Sequence, residues 1–198
     1  EIEMDPVVVG ISGASGSILA QTTIDTLLRH DIPVIATCSS AARMVWQEEM
    51  DEQFASVVAR WQESPHFTYC PIGDLKSPIA SGSIPTSGMV VIPCSTGTVA
   101  SIAQGISTNL LQRAAEVCIK EQRRLVLVPR ETPLSAIHLE NMLKLARLGV
   151  MIIPPEPAFY LRPRTIQDIT DYLVGKTLNA FGIQDFMGDG LRYQRSSD

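Results

Sequence analysis

Paired cysteines are missing from this chain. Cys38, Cys70, Cys94 and Cys118 are scattered without a CxxC pair, which suits neither a zinc site nor a disulfide scaffold and reads as buried free thiols in a reducing compartment. The three histidines, His30, His66 and His138, are equally dispersed, so no metal cluster is expected. No apolar run approaches the ~20 residues that span a bilayer. The opening EIEMDPVVVG has neither a basic stretch nor a cleavage signature, so no secretory signal is expected and the cytoplasm is the default location. Basic stripes are wanting too, and a net charge of −5 argues against nucleic acid as the main partner. Repeats, low-complexity tracts and dividing linkers are also lacking, which leaves 198 residues for one domain with a full core.

What is present is alternation. The runs PVVVGIS (6–12), PVIATCS (33–39), MVVIP (89–93), RLVLVP (124–129) and VMIIP (150–154) are short and nearly all apolar, as strands buried on both faces of a parallel sheet are. Helical stretches at 16–30, 39–50, 109–122 and 135–149 separate them. In the last, Leu139, Met142, Leu143 and Ala146 recur at the spacing of one helical face. A closing helix is expected from Thr165, where TIQD reads as a capping box. This order predicts an α/β fold, a three-layer, doubly wound parallel sheet of the Rossmann-like or flavodoxin-like kind in a single domain.

The stretch VVVGISGASGS (7–17) runs a strand straight into Gly10, Gly13 and Gly16, with Ser12 and Ser15 between them. Ligands of open α/β sheets bind beyond the carboxyl ends of the strands, where this loop falls. Its backbone N–H groups and the following helix N-terminus can hold an anion; an ordinary tight turn would use the same glycines. The spacing GxxGxxG is not the GxGxxG of a dinucleotide site, and the second strand ends in ATCSS, with no carboxylate for a ribose. A P-loop needs GK[ST], whereas Gly16 is followed by Ser17 and Ile18. A mononucleotide held by hydroxyls and amides remains. A second loop, IPCSTGTVASIAQG (92–105), again leaves a buried strand and passes through Ser95, Thr96, Gly97 and Thr98 into a helix. Helix capping alone favours such residues, but two such loops at one sheet edge form a polar cradle.

With GISGASGS, ASGSIPTSGMVVIPCSTGTVASIAQG, NLLQRAAEV, RLVLVPRETPLSAIHLENMLKLARLGVMIIPPEPAFY and KTLNAFGI, the chain resembles the flavin prenyltransferases of the UbiX/Pad type over residues 7–183. The block LVLVPRETPLSAIHLENML is the long, specific part of the match. The resemblance implies a flavin-binding prenyltransferase domain over 1–183 and a C-terminal tail, 184–198, that packs on a neighbouring subunit through Leu191 or Tyr193. It implies a homo-oligomer, a dodecamer, with flavin at the subunit interfaces. It also implies the reaction. A dimethylallyl group passes from dimethylallyl monophosphate to N5 and C6 of reduced FMN, without a metal, to give the prenylated FMN of UbiD-type decarboxylases.

By the same resemblance, Gly13, Ala14, Ser15, Ser39 and the loop Ser95, Thr96, Gly97 and Thr98 contact FMN, and Arg130 in VPRE reaches the flavin. Tyr160 in PAFY and Lys176 in VGKTLN bind the prenyl phosphate with Lys120 and Arg130. Lys176 stands where the family has Arg or Lys, so it keeps the charge but not the bidentate geometry. Ser15, Glu49, Lys120 and Glu131 form the implied catalytic set.

The chemistry suits these residue types. Breaking an allylic C–O bond leaves a cation and a phosphate; Lys120, Arg130 and Lys176 supply counter-charge, and Tyr160 and Ser15 supply hydroxyl donors. Bonding at an aromatic carbon then releases a proton to Glu131 or to the freed phosphate, while Glu49 orients Ser15. Plainer alternatives stand beside these roles. Glu49 next to Glu48 suits a solvated carboxylate, Lys120 in KEQRR a wet helix end, Tyr160 after PPEPAF mere packing, and Lys176 beside Leu173 and Thr177 a snorkelling lysine. A direct aromatic-acid or cysteine-type decarboxylase and a non-catalytic FMN-binding subunit are the alternative functions.

Overall fold

Valine, isoleucine and leucine crowd the short strands because each is covered by helices on both faces. The computed structural model describes residues 4–183. Its strands are β1 (Val7–Ile11), β2 (Val34–Cys38), β3 (Phe67–Tyr69), β4 (Gly88–Cys94), β5 (Leu125–Pro129) and β6 (Met151–Ile152). Its helices are α1 (Ser17–Arg29), α2 (Ser40–Glu49), α3 (Phe54–Trp61), α4 (Thr96–Ala103), α5 (Leu110–Lys120), α6 (Ala136–Arg147) and α7 (Ile166–Ala180). The sheet order is β3-β2-β1-β4-β5-β6, with every neighbouring pair parallel. That is the Rossmann order; the flavodoxin-like order would run 2-1-3-4-5.

Successive strand residues point to opposite faces, so the sheet feeds two cores. Val7, Val9 and Ile11 join Leu27, Trp46, Trp61 and Leu178, from α1, α2, α3 and α7. Val8, Val91 and Leu127 join Leu110, Leu111, Ala114 and Leu145, from α5 and α6. In the first core, Trp46 meets Phe54 and Trp61 edge-on at ring-centroid distances of 5.2 and 6.2 Å. The helix α3 and strand β3 that supply this cluster had no expectation in the sequence. A strand of three residues, one of them exposed, is too short to show a period.

The closing helix begins at the expected box, with Thr165 accepting from the Asp168 N–H. On α6 the outcome differs from the expectation. Inward go Asn141 and Leu145, and Asn141 accepts a bond from Gln104, the C-cap of α4, at 3.1 Å. The stripe Leu139, Leu143 and Ala146 faces out, with Met142 half-buried beside it. Among the described residues no helix is long and apolar enough to cross a membrane. The tail residues 184–198, including Leu191 and Tyr193, lie outside the described residues.

Gly88 opens β4 with φ +128°, and a Cβ there would lie 2.3 Å from the Arg124 carbonyl oxygen. That oxygen accepts the Met89 N–H at 2.9 Å, so it cannot retreat without loosening the β4–β5 ladder. Gly88→Ala is expected to lose on the order of 2 kcal/mol or more, read as a lower urea midpoint. An unchanged midpoint would show that the contact relaxes freely.

Candidate active site

β1 and β4 are adjacent, yet the chain leaves them in opposite directions, toward β2 and toward β5. Such a switch point, at the carboxyl edge, is where open α/β sheets bind ligands. The loops 12–16 and 95–98 leave this edge side by side. Ser12 stitches them together. Its buried hydroxyl donates to the Pro93 carbonyl at 3.2 Å and accepts the Ser95 N–H at 2.7 Å. Gly13 lets α2 close onto the loop, since a Cβ there would sit 2.6 Å from the Ala41 Cβ. Gly16, at φ +122°, makes the left-handed turn into α1.

The other end of α2 reaches the same loop. The Glu49 carboxylate accepts the Gly16 N–H at 3.0 Å and the Ser17 N–H at 2.8 Å. Burial pushes its pKa up, but hydrogen bonds from the Ser15 hydroxyl and the Ser17 and Gly16 amides outweigh this and hold it below the ordinary carboxylate value. The positive end of α1 acts in the same direction. The anion at this helix end is therefore the protein's own, which corrects the expectation of an N-terminus open to a ligand. Nor is Glu49 a carboxylate merely in solvent.

The second loop is organised differently. The Ser95 hydroxyl caps α4, accepting the Thr98 N–H at 3.2 Å and donating to Thr98 Oγ1 at 2.9 Å. The amides of Thr96 and Gly97 keep no partner among the described residues, and Gly97 borders open space. Ser39 caps α2 in the same way, accepting the Ala42 N–H at 3.1 Å. The strand-end thiols just before these caps are inert. Burial pushes Cys38 and Cys94 up to about 12, so both stay protonated at neutral pH.

Arg130 lies beside this cradle, its N–H donating to the Cys94 carbonyl at 3.2 Å. Glu131, also exposed, accepts the Thr132 N–H at 3.0 Å. Both line a cavity of about 300 Å³ with Met142, Pro154 and Glu156. Tyr160 is exposed, and its hydroxyl is shared with Tyr172, which holds it above the ordinary tyrosine value, while Lys176 pulls it down. Tyr160 and Lys176 thus lie within electrostatic reach of each other. Tyr172 was missed, although its i,i+4 spacing to Lys176 on α7 was a legible signal. Lys120 is placed elsewhere. It ends α5, pairs with Glu121 and sits beside Gly82, at the amino edge of the sheet. The length of a five-residue strand, ~17 Å, separates that edge from Ser15, so one chain does not bring Lys120 to the others. Among the described residues no group of three or more His, Cys, Asp or Glu could hold a metal ion.

Two outcomes follow from these contacts. Ser12→Ala would leave the Ser95 N–H without its acceptor, costing about 1–3 kcal/mol, measurable by urea unfolding; a smaller change would mean that another group takes the N–H. Glu49 has a lowered pKa in the folded state, so its contribution is present above the ordinary carboxylate pKa and is lost as pH falls through the folded value. Glu49→Gln should therefore be less stable than the parent at neutral pH, by about 1 kcal/mol or less, with the difference vanishing in acid. Parallel stability–pH curves would remove the charge as the cause.

The flavoprotein family model matches residues 1–178. A flavin prenyltransferase of Lactiplantibacillus plantarum, LpdB, is 48% identical over 183 residues, which cover 92% of this chain and 95% of that protein. Among solved structures, AnUbiX (PadA1) in complex with FMN and dimethylallyl pyrophosphate aligns with a TM-score of 0.89 at 36% identity, covering 98% of this chain and all of that one. A dodecameric FMN-dependent UbiX-like decarboxylase from Escherichia coli O157:H7 aligns at 0.84 with 40% identity, covering 89% and 94%. The residues that build the cradle fall inside the span of the family model, and the chain belongs to the flavoprotein family, in its flavin prenyltransferase branch.

Proposed function

We propose that the protein transfers a dimethylallyl group from dimethylallyl monophosphate to N5 and C6 of reduced FMN in the cytoplasm, releasing phosphate and the prenylated FMN used by a UbiD-type decarboxylase. The observation that carries this is the asymmetric cradle: one helix end filled by Glu49, and a neighbouring one with the Thr96 and Gly97 amides open. FMN brings a single phosphate to that open end, where the Ser39 and Thr98 hydroxyls stand by. Gly13, Ala14 and Ser95 bound the space for the rest of the flavin, and Arg130 extends toward it.

The prenyl phosphate needs its own counter-charge. Tyr160, bonded to Tyr172 and within electrostatic reach of Lys176, supplies a donor and Lys176 a cation, and Ser15, oriented by Glu49, supplies a second hydroxyl. The allylic C–O bond breaks with its electrons going to phosphate. The freed phosphate carries the proton that N5 gives up; closing the second bond at C6 adds that proton to the prenyl double bond and removes the C6 proton, for which Glu131 is the base. Lys120 reaches such a site only from another copy of the chain. Its place on the far edge supports a shared site in a homo-oligomer, a dodecamer like that of the E. coli relative.

The E. coli relative, 40% identical, is described as an FMN-dependent decarboxylase, and that gives the second reading, direct FMN-dependent decarboxylation. Purified protein with FMN and an aromatic acid should release no CO₂, whereas with reduced FMN and dimethylallyl monophosphate it should form a new flavin. CO₂ release would favour the second reading. No product from either mixture would leave an FMN-binding subunit. Glu131→Gln should still bind FMN while product formation falls ~10²-fold, with a singly attached alkyl flavin visible in the absorption spectrum; normal turnover would pass the base role to the phosphate. Lys120→Ala and Glu131→Gln should each be weak alone. Co-assembled, they should regain activity at roughly a quarter of the sites; no recovery would deny that Lys120 and Glu131 come from different chains.

A further inference from the structure

The outward stripe of α6 has no cover in the chain itself. Leu139 is 52% exposed and Leu143 50%, and Ala146 is exposed beside them. At spacings of four and three they form one stripe over two turns. Single exposed leucines are ordinary, but an apolar stripe opposite the buried face of a helix marks an association surface. The apolar character continues past the helix start, where Ile137 is 69% and Leu134 42% exposed. Glu140 and Arg147 flank the stripe. Both are exposed, and neither has a hydrogen bond or ion pair among the described residues. The other cation of this helix is engaged, since Lys144 donates to Gln104, the C-cap of α4, at 3.3 Å.

We propose that α6 is a self-association face, packing antiparallel against α6 of a second copy about a two-fold axis near Leu143. The argument is charge complementarity. Seven residues apart, Glu140 and Arg147 lie about 20° from each other around the helix, hence on one flank. A two-fold antiparallel pairing keeps like flanks together and reverses direction, so Glu140 meets the partner's Arg147 and Arg147 meets the partner's Glu140. Leu143 then lies at the centre, and Leu139 covers the partner's Ala146. A parallel two-fold pairing would put the charged flank of each helix on opposite sides of the contact, so neither charge would meet its opposite. An isologous contact of this kind needs a patch complementary to itself, which this stripe with its two charges is. The inference deepens the assembly part of the function proposed above and rests on it: the two-fold contact of the oligomer would be this one.

Light scattering of the full chain over a range of concentrations tests it. The parent should be an assembly. Leu143→Glu should lower its mass by roughly two-fold or more, since like charges would meet at the axis. Glu140→Arg and Arg147→Glu should each weaken assembly, and the double variant Glu140→Arg with Arg147→Glu should restore it. Circular dichroism and thermal melts check that every variant stays folded, as these positions are exposed. Parent-like mass for Leu143→Glu and for both single charge variants overturns the proposal. Single variants that dissociate without rescue by the double swap overturn the antiparallel self-pairing. A monomeric parent at every concentration would instead overturn the assembly reading on which the proposal rests, while leaving prenyl transfer to its own assay.

Discussion

The Ser12 hydroxyl is the contact on which the site's geometry depends. β1 and β4 pair in parallel, but their loops diverge, and a hydrophobic sheet has no means of holding two polar loops in register beyond its edge. Ser12 does so by taking the Ser95 N–H and giving its proton to the Pro93 carbonyl. The start of α4 is fixed by that bond. Arg130 is fixed in turn, because its N–H rests on the Cys94 carbonyl next to Ser95. In a buried setting an orphaned N–H costs more than the bond itself yields, so the stitch resists slipping.

The electrostatics of the cradle follow from which helix ends are already satisfied. Glu49 neutralises the positive end of α1 with a fixed carboxylate, and a phosphate brought to the same place would meet like charge. The amides of Thr96 and Gly97 have no such occupant among the described residues. On the function proposed above, the glycine loop shapes the site, while the second loop supplies the anion seat. Gly13 contributes by absence, since the missing side chain is what lets α2 carry Glu49 across the loop.

Two further features are those on which the proposed assembly rests. Lys120, paired with Glu121 at the amino edge, is separated from the carboxyl-edge groups by the height of the sheet. The α6 stripe is apolar where a monomer would place polar residues. A neighbouring copy placed as proposed above would cover the hydrophobic face and bring the cation to its implied phosphate.

Much of the fold was legible because it is written in neighbouring residues. The near-continuous apolar runs marked β1, β2, β4, β5 and β6, the box at Thr165 and Asp168 marked the start of α7, and the glycine spacing with its missing carboxylate excluded a dinucleotide. Three-residue β3 escaped because so short a segment carries no period. The α6 stripe was legible as a stripe but not as an outer one: periodicity defines a face, and the partner of that face is set by whatever the fold packs behind it, here α4 against Asn141 and Leu145. The bonds that make the site join residues 33 apart, Gly16 to Glu49, and 83 apart, Ser12 to Ser95. Residue types fixed what those groups could do, but only the chain's path through the sheet decided which of them met, because hydrogen bonds act over about 3 Å and sequence separation says nothing of that distance.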